Sequence, residues 1–162
     1  MRGDLLDVYA EVRAPLLHLA NYAVGAFGER LDRHATEPGF QAVLAYEGEH
    51  PVGYAYGNRI EDGDRYWQRT VPAPSEMYTL PPAVALKEIG VRTAWRGTGT
   101  ARRIHDALLA SRDESHVTLM VNKAAGDGMV HALYRSWGYT DIGHSQPSPA
   151  SPRLTVMIRP TA

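Results

Sequence analysis

Apolar residues recur at helical spacing from the start of the chain. Leu5, Val8, Tyr9 and Val12 fall on one stripe, and such spacing predicts helices over residues 4–14 and 16–34. Glu37-Pro38-Gly39 breaks that period. Strand-like runs follow at 40–46 (FQAVLAY) and 52–60 (VGYAYGNRI), and the intervening EGEHP makes them a predicted hairpin. Tyr54 and Tyr56 share one face of its second strand. Residues 61–82 lose any period; they hold Pro72, Pro74, Pro81 and Pro82 and the acids Glu61, Asp62 and Asp64. An irregular stretch of this length in a small domain is often functional.

The second half is more regular. Residues 83–92 (AVALKEIGVR) read as a buried strand, with Ile89, Val91 and Lys87 on one face and Glu88 and Gly90 on the other. A helix is predicted over 99–112, with Ala101, Ile104, Leu108 and Ser111 on one stripe, and a strand over 116–122. Another helix spans 127–137, with Val130, Leu133, Tyr134 and Trp137 inward and Gly138 as its stop. Strands at 139–143 and 153–159 flank the loop QPSPASP. The order of elements predicts a mixed α/β (α+β) domain around a central sheet.

Composition narrows the class. The chain has 162 residues, 44% hydrophobic and 22% charged, which fits one domain over 1–162 and excludes disorder as the main state. Seventeen Lys+Arg against eighteen Asp+Glu leave a charge of −1, which argues against a nucleic-acid coat or an anionic-membrane binder. The absence of cysteine excludes disulfides, thiolate metal sites and a thiol nucleophile. The seven histidines show no metal-binding spacing, so no metal site is expected. Ser136 and Ser145 lack a nucleophile-elbow context. The opening MRGDLLDVYAEV is too acidic for a secretory signal, and no run reaches the roughly 18 apolar residues of a membrane span. The expected location is the cytoplasm.

The charges are unevenly placed. Arg92, Arg96, Arg102 and Arg103 surround a strand–loop–helix turn, while Glu61, Asp62, Asp64 and Glu76 gather in the irregular segment. In the turn, Gly97 and Gly99 let backbone approach a ligand, and the first N–H groups of the following helix form an anion site. A Walker A loop would need Gly-Lys, which is missing, and a dinucleotide fingerprint would need glycine where Arg102 stands. A tight turn carrying surface arginines is the plain structural alternative. The pattern [QR]-x-x-G-x-[GA] is satisfied by Arg96-Gly97-Thr98-Gly99-Thr100-Ala101.

On this motif the chain resembles the GNAT superfamily of acyl-CoA-dependent N-acyltransferases. A second stretch supports the resemblance. Against N-x-x-A-x-x-[LF]-Y-x-x-x-G-[FY], the residues Leu133, Tyr134, Gly138 and Tyr139 match, whereas Asp127 replaces Asn and Val130 replaces Ala. The likeness covers about residues 84–143 and is vague over 1–60, where the first strand of the family is short or missing. It implies a GNAT-like central mixed, mostly antiparallel sheet flanked by helices, with acetyl-CoA as the cofactor. It also implies that the backbone of Ile89, Gly90 and Val91 meets the pantetheine arm. The pyrophosphate falls to Arg96, Gly97, Thr98, Gly99, Thr100, Ala101 and Arg102. Asp127 leaves no side-chain amide at its position, and Asn122 can substitute.

Acetyl transfer to an amine needs a neutral amine, stabilisation of the developing oxyanion and a proton for the departing thiolate. Amines are almost wholly protonated at neutral pH, so a base helps. Glu88 is the candidate base, with a salt-bridged or solvated strand-edge carboxylate as the alternative. Tyr134 matches the family tyrosine that approaches the coenzyme A sulfur; a phenol stays protonated at neutral pH and can donate, and a core tyrosine is the alternative. The backbone N–H groups of 89–91 would meet the oxyanion. His131 reads as a solvated residue one turn before Tyr134. The expected partner is a small-molecule or peptide amine attacking directly in a ternary complex, and the acidic segment hints at a cationic one. A non-catalytic acyl-CoA sensor and a nucleotide-binding domain are the competing readings. The strand at 153–159 can serve as a homodimer edge or be protected by Pro147, Pro149 and Pro152.

Overall fold

The computed structural model describes residues Met1–Ala162. The helices are α1 (Arg2–Val12), α2 (Val24–Ala35), α3 (Arg65–Gln68), α4 (Glu76–Thr79), α5 (Thr100–Leu109) and α6 (Met129–Ser136). The strands are β1 (Gln41–Glu47), β2 (His50–Ile60), β3 (Ala83–Val91), β4 (His116–Val121), β5 (Thr140–Ser145) and β6 (Leu154–Pro160). They form one six-stranded sheet in the order β1-β2-β3-β4-β6-β5. The pairs β1/β2, β4/β6 and β5/β6 are antiparallel, and β3 runs parallel to β4, with Ala83–Ala85 opposite His116–Thr118. This is the mixed, mostly antiparallel sheet flanked by helices that the sequence led us to expect. No helix is long and apolar enough to cross a membrane.

Several elements depart from the periodicity. The stretch 16–34 is not one helix. Pro15 lies in a 3-10 turn at Ala14–Leu16, another turn covers Ala20–Tyr22, and Ala23 is extended (ψ 142°) before α2 begins. The predicted helix at 127–137 starts at Met129, because Gly126, Asp127 and Gly128 all take positive φ (56°, 54° and 88°), which no α-helix tolerates. Leu133 is not inward; it is 44% exposed, whereas Trp137 is buried. The irregular segment holds two short capped helices: Asp64 accepts the Tyr66 N–H at 2.8 Å and Ser75 that of Met77 at 3.3 Å. Asp64 thus has a structural task within the acidic cluster.

The chain divides into two compact units, passing between them inside β2, inside β3 and between α5 and β4. The first, Met1–Asn58 with Leu86–Arg112, has a core of Leu5, Val8, Tyr9, Phe27, Leu31, Tyr54 and Tyr56. Tyr9 and Phe27 stack with centroids 3.7 Å apart, and the Tyr9 hydroxyl donates to the Tyr22 carbonyl at 2.8 Å. The second, Arg59–Ala85 with Asp113–Ala162, packs Ile60, Tyr66, Ala83, Ala85 and Val156. Its buried Thr118 hydroxyl donates to the Met157 carbonyl at 2.8 Å and lies 3.0 Å from the Tyr66 hydroxyl.

In the first unit β2 is packed against β3 and α5 with no spare room at Gly53. A Cβ there would lie 2.6 Å from Ile104 Cδ1 and 3.2 Å from the Gly90 carbonyl oxygen. Overpacking of this kind costs about 1–3 kcal/mol. We expect Gly53→Ala to reduce the stability measured by urea denaturation by that amount, and Ile104→Val, which removes Cδ1, to recover part of the loss. Equal costs of Gly53→Ala in both backgrounds would contradict the clash.

Candidate active site

The site is built on the C-terminal half of β3. Alternation puts Glu88 and Gly90 on one face, and both meet Tyr54 of β2. A Cβ on Gly90 would lie 3.0 Å from the Tyr54 ring and 3.3 Å from Val12, so glycine allows α1 and β2 to close over the strand. Glu88 retains 13% side-chain exposure. Its Oε2 lies 3.7 Å from Arg13 Nη2 and 3.4 Å from the Tyr54 hydroxyl, which donates to it; its Oε1 lies 3.9 Å from Arg30 Nη2.

Burial pushes the Glu88 carboxyl above its ordinary range, and Arg13, Arg30 and the Tyr54 hydroxyl pull it down without cancelling that shift. Burial, then the Glu88 charge, pushes the Tyr54 hydroxyl well up, so it remains a donor. The carboxylate is therefore not freely solvated but enclosed, with a guanidinium group near each oxygen. Ile89 is half-buried, and Gly90 and Val91 are buried. Arg13 and Arg30 were not singled out in the sequence. Both lie far upstream, and no local spacing signals their approach to Glu88.

The turn after β3 begins with a 3-10 segment, Thr93–Trp95. Arg96 is extended (φ −67°, ψ 141°), and Gly97 and Gly99 are left-handed (φ 74° and 81°). The first α5 ladder bond runs from the Arg103 N–H to the Gly99 carbonyl at 3.1 Å. The N–H groups of Gly99, Thr100, Ala101 and Arg102 thus precede the ladder, at the positive end of the helix. The Thr98 hydroxyl donates to the Trp95 carbonyl and lies 2.7 Å from the Thr100 hydroxyl, bracing the turn. Arg96 through Gly99 are exposed, and Thr100 is buried.

The four arginines are not equivalent. Arg92 Nη1 pairs with Glu11 at 3.1 Å, and its Nε donates to the Pro51 carbonyl at 2.7 Å. Arg102 Nε reaches both Asp106 oxygens at 3.0 Å. Arg103 donates to the Thr100 hydroxyl at 3.2 Å. Only the Arg102–Asp106 pair, four apart on a helix, was legible as a spacing.

The remaining candidates lie in the second unit. Asn122 follows β4, and its Oδ1 accepts the Ala124 N–H at 3.0 Å. Asp127 is left-handed, with φ 54°. Tyr134 is half-buried on α6, with its ring edge-on to Trp137 and Tyr139 at centroid distances of 5.6 and 5.8 Å. His131 is not solvated: it keeps 14% side-chain exposure, and its Nε2 lies 2.8 Å from Asp141 Oδ1.

No family model and no curated protein matches the chain. Solved structures do. An acetyltransferase from Thermus thermophilus aligns with 98% of this chain and 90% of its own, at 18% identity and a TM-score of 0.66. An aminoglycoside 6'-N-acetyltransferase complexed with coenzyme A aligns with 99% of this chain and 91% of its own, at 14% identity and a TM-score of 0.62. The ribosomal-protein-S18-alanine N-acetyltransferase from Escherichia coli aligns with 83% and 77%, at 15% identity and a TM-score of 0.59. The fold is that of the GNAT acetyltransferases.

The contacts of Glu88 fix the sign of its response to substitution. Tyr54→Phe removes a donor to the carboxylate, so the Glu88 titration, followed by carboxyl carbon NMR, should move further upward. A raised native pKa adds stability below the unfolded value, and that gain is lost as pH rises through the native one. Tyr54→Phe should therefore lower stability more at pH 7 than at pH 4. A downward move of the titration would contradict the assignment of Tyr54 as donor.

Proposed function

We propose that the chain is an N-acetyltransferase of the cytoplasm, working as one domain over residues 1–162. It moves an acetyl group from acetyl-CoA to a primary amine of a small molecule or peptide, by direct attack in a ternary complex. The observation that carries this reading is the turn from Arg96 to Arg102. Its left-handed glycines and the four N–H groups ahead of the α5 ladder fit a pyrophosphate, which takes backbone donors and the helix dipole together. Acetyltransferase structures sharing the fold, one of them complexed with coenzyme A, support the same choice of cofactor.

The bound coenzyme would supply the acetyl group as a reactive thioester. The residues of the chain would do the rest. Ile89, Gly90 and Val91 would offer strand-edge backbone groups to the pantetheine amides. Glu88 would accept a proton from the incoming ammonium, directly or through water. Its upward-shifted carboxyl is a better proton acceptor than a solvated one. Tyr134 would return a proton to sulfur, and Asn122 would donate its amide NH2 where Asp127 has none.

The test is thiol release from acetyl-CoA with a panel of amines, alongside calorimetric coenzyme binding. Tyr134→Phe should lower kcat by about tenfold or more and leave coenzyme affinity unchanged. Glu88→Gln should remove the acidic limb of the rate profile, which lies above the range of an ordinary carboxylate because burial raises that group. Gly99→Val, strained at φ 81°, should weaken coenzyme binding. Coenzyme binding without turnover on any amine, indifferent to Tyr134→Phe, would replace the enzyme with a sensor. Normal binding in Gly99→Val would remove the turn as its site.

A further inference from the structure

Glu88 is over-matched. Two guanidinium groups flank it, one beside each oxygen, at 3.7 and 3.9 Å. Both distances exceed the roughly 2.7–3.2 Å of an N–H···O bond, so neither ion pair uses the full set of guanidinium donors. Arg13 keeps 34% side-chain exposure and Arg30 keeps 30%, against 13% for Glu88. Solutes therefore reach the guanidinium groups more readily than the carboxylate between them.

Arg30 has anchors besides Glu88. Arg30 Nη1 donates to the Asn21 carbonyl at 3.3 Å, and its guanidinium carbon lies 5.3 Å from the Phe27 ring centroid. Arg13 caps the C-terminal end of α1, and its Nε is buried without a hydrogen-bond partner. A buried donor left unpaired next to a second exposed cation is what remains when an anionic group belongs there. Lys87, Arg33 and Arg30 all act on His34 as positive charges. Glu37 is already engaged by the Asn58 amide at 2.6 Å.

We propose that Arg13 and Arg30 form a carboxylate site, so that the acceptor is an α-amino acid whose ammonium meets Glu88 and whose carboxylate meets the two guanidinium groups. Guanidinium suits this task because its planar donors match the two oxygens of a carboxylate. The opposed charges of an amino acid lie a few ångströms apart, as do those of the site. The inference rests on the acetyl-transfer reading above and reverses the sign suggested by the acidic segment at 61–76. In the reaction the ammonium loses one proton through Glu88 to solvent. Its lone pair forms the C–N bond as the C–S bond breaks, and nitrogen loses its second proton as sulfur gains one. The products are an N-acetyl amino acid, free thiol and one proton.

The experiment pairs each of the common amino acids with its carboxamide, which keeps the amine and removes the anion. Binding is read by calorimetry with coenzyme A present and absent, and turnover by thiol release. At least one acid should exceed its amide by about tenfold or more in both affinity and kcat/KM. Arg30→Gln should reduce that ratio to about threefold or less with coenzyme affinity unchanged, and Arg30→Lys should keep part of it. Arg13→Gln should act likewise where circular dichroism shows it folded; Arg30→Gln, at the other guanidinium, keeps the test open if it does not fold. Amides that match or exceed their acids, or an unchanged ratio in Arg30→Gln, would overturn the carboxylate site while leaving acetyl transfer intact. An acid preference erased by Arg30→Gln, without coenzyme binding, would sustain the site and sink the acetyl-transfer reading.

Discussion

A carboxylate held in a nearly dry place governs the first unit. Glu88 lies on the face of β3 that Gly90 leaves bare, and the missing side chain draws Tyr54 and Val12 onto the strand. That closure strips water from Glu88, and an isolated buried ion costs several kcal/mol. Opposite charge must then be near. The end of α1 brings Arg13 and the body of α2 brings Arg30. Just past β3 the chain meets α1 again: Glu11 accepts the Thr93 N–H at 2.9 Å and pairs with Arg92. One requirement, to compensate a buried charge, thereby orients the helices that the hairpin alone would leave free to slide.

The anion site has a different electrostatic origin from the one its arginines suggest. Arg92 points to Glu11 and Arg102 to Asp106, so two of the four cations are neutralised locally. Arg103 braces the threonines of the turn. At the proposed anion site the attraction would therefore come chiefly from backbone N–H groups and the α5 dipole, with Arg96 at the rim. Backbone donors do not depend on a flexible side chain, and they hold their positions before a ligand arrives.

Both halves of the site differ in how far the sequence made them legible. The alternation over 83–92 and the glycine spacing of the turn are local facts, and both survived folding intact. The face shared by Glu88 and Gly90 followed from the period of a strand. Local patterns failed where backbone conformation overrides periodicity, as at Gly126–Gly128, whose positive φ values cut short an otherwise continuous apolar pattern. They failed again where partners meet across long stretches of chain. Arg13 and Arg30 on Glu88 leave no trace in spacing, and His131 found Asp141 on β5 rather than solvent. Leu133 matched the family motif as a letter and yet lies on the exposed side of α6.

The surplus of positive charge around Glu88 has an independent witness in His34. Its Nδ1 lies 2.9 Å from the Tyr56 hydroxyl, and burial, reinforced by Lys87, Arg33 and Arg30, holds its pKa at about 4. An unfolded histidine takes its proton near pH 6.5, so the native fold loses stability as pH falls from there towards about 4. An anion seated between Arg13 and Arg30 would weaken the field that His34 feels from Arg30. By linkage, whatever favours that anion also eases protonation of His34, and a protonated His34 strengthens the anion in turn. Arg30 thus acts on His34 as well as on Glu88, the acid placed between two guanidinium groups.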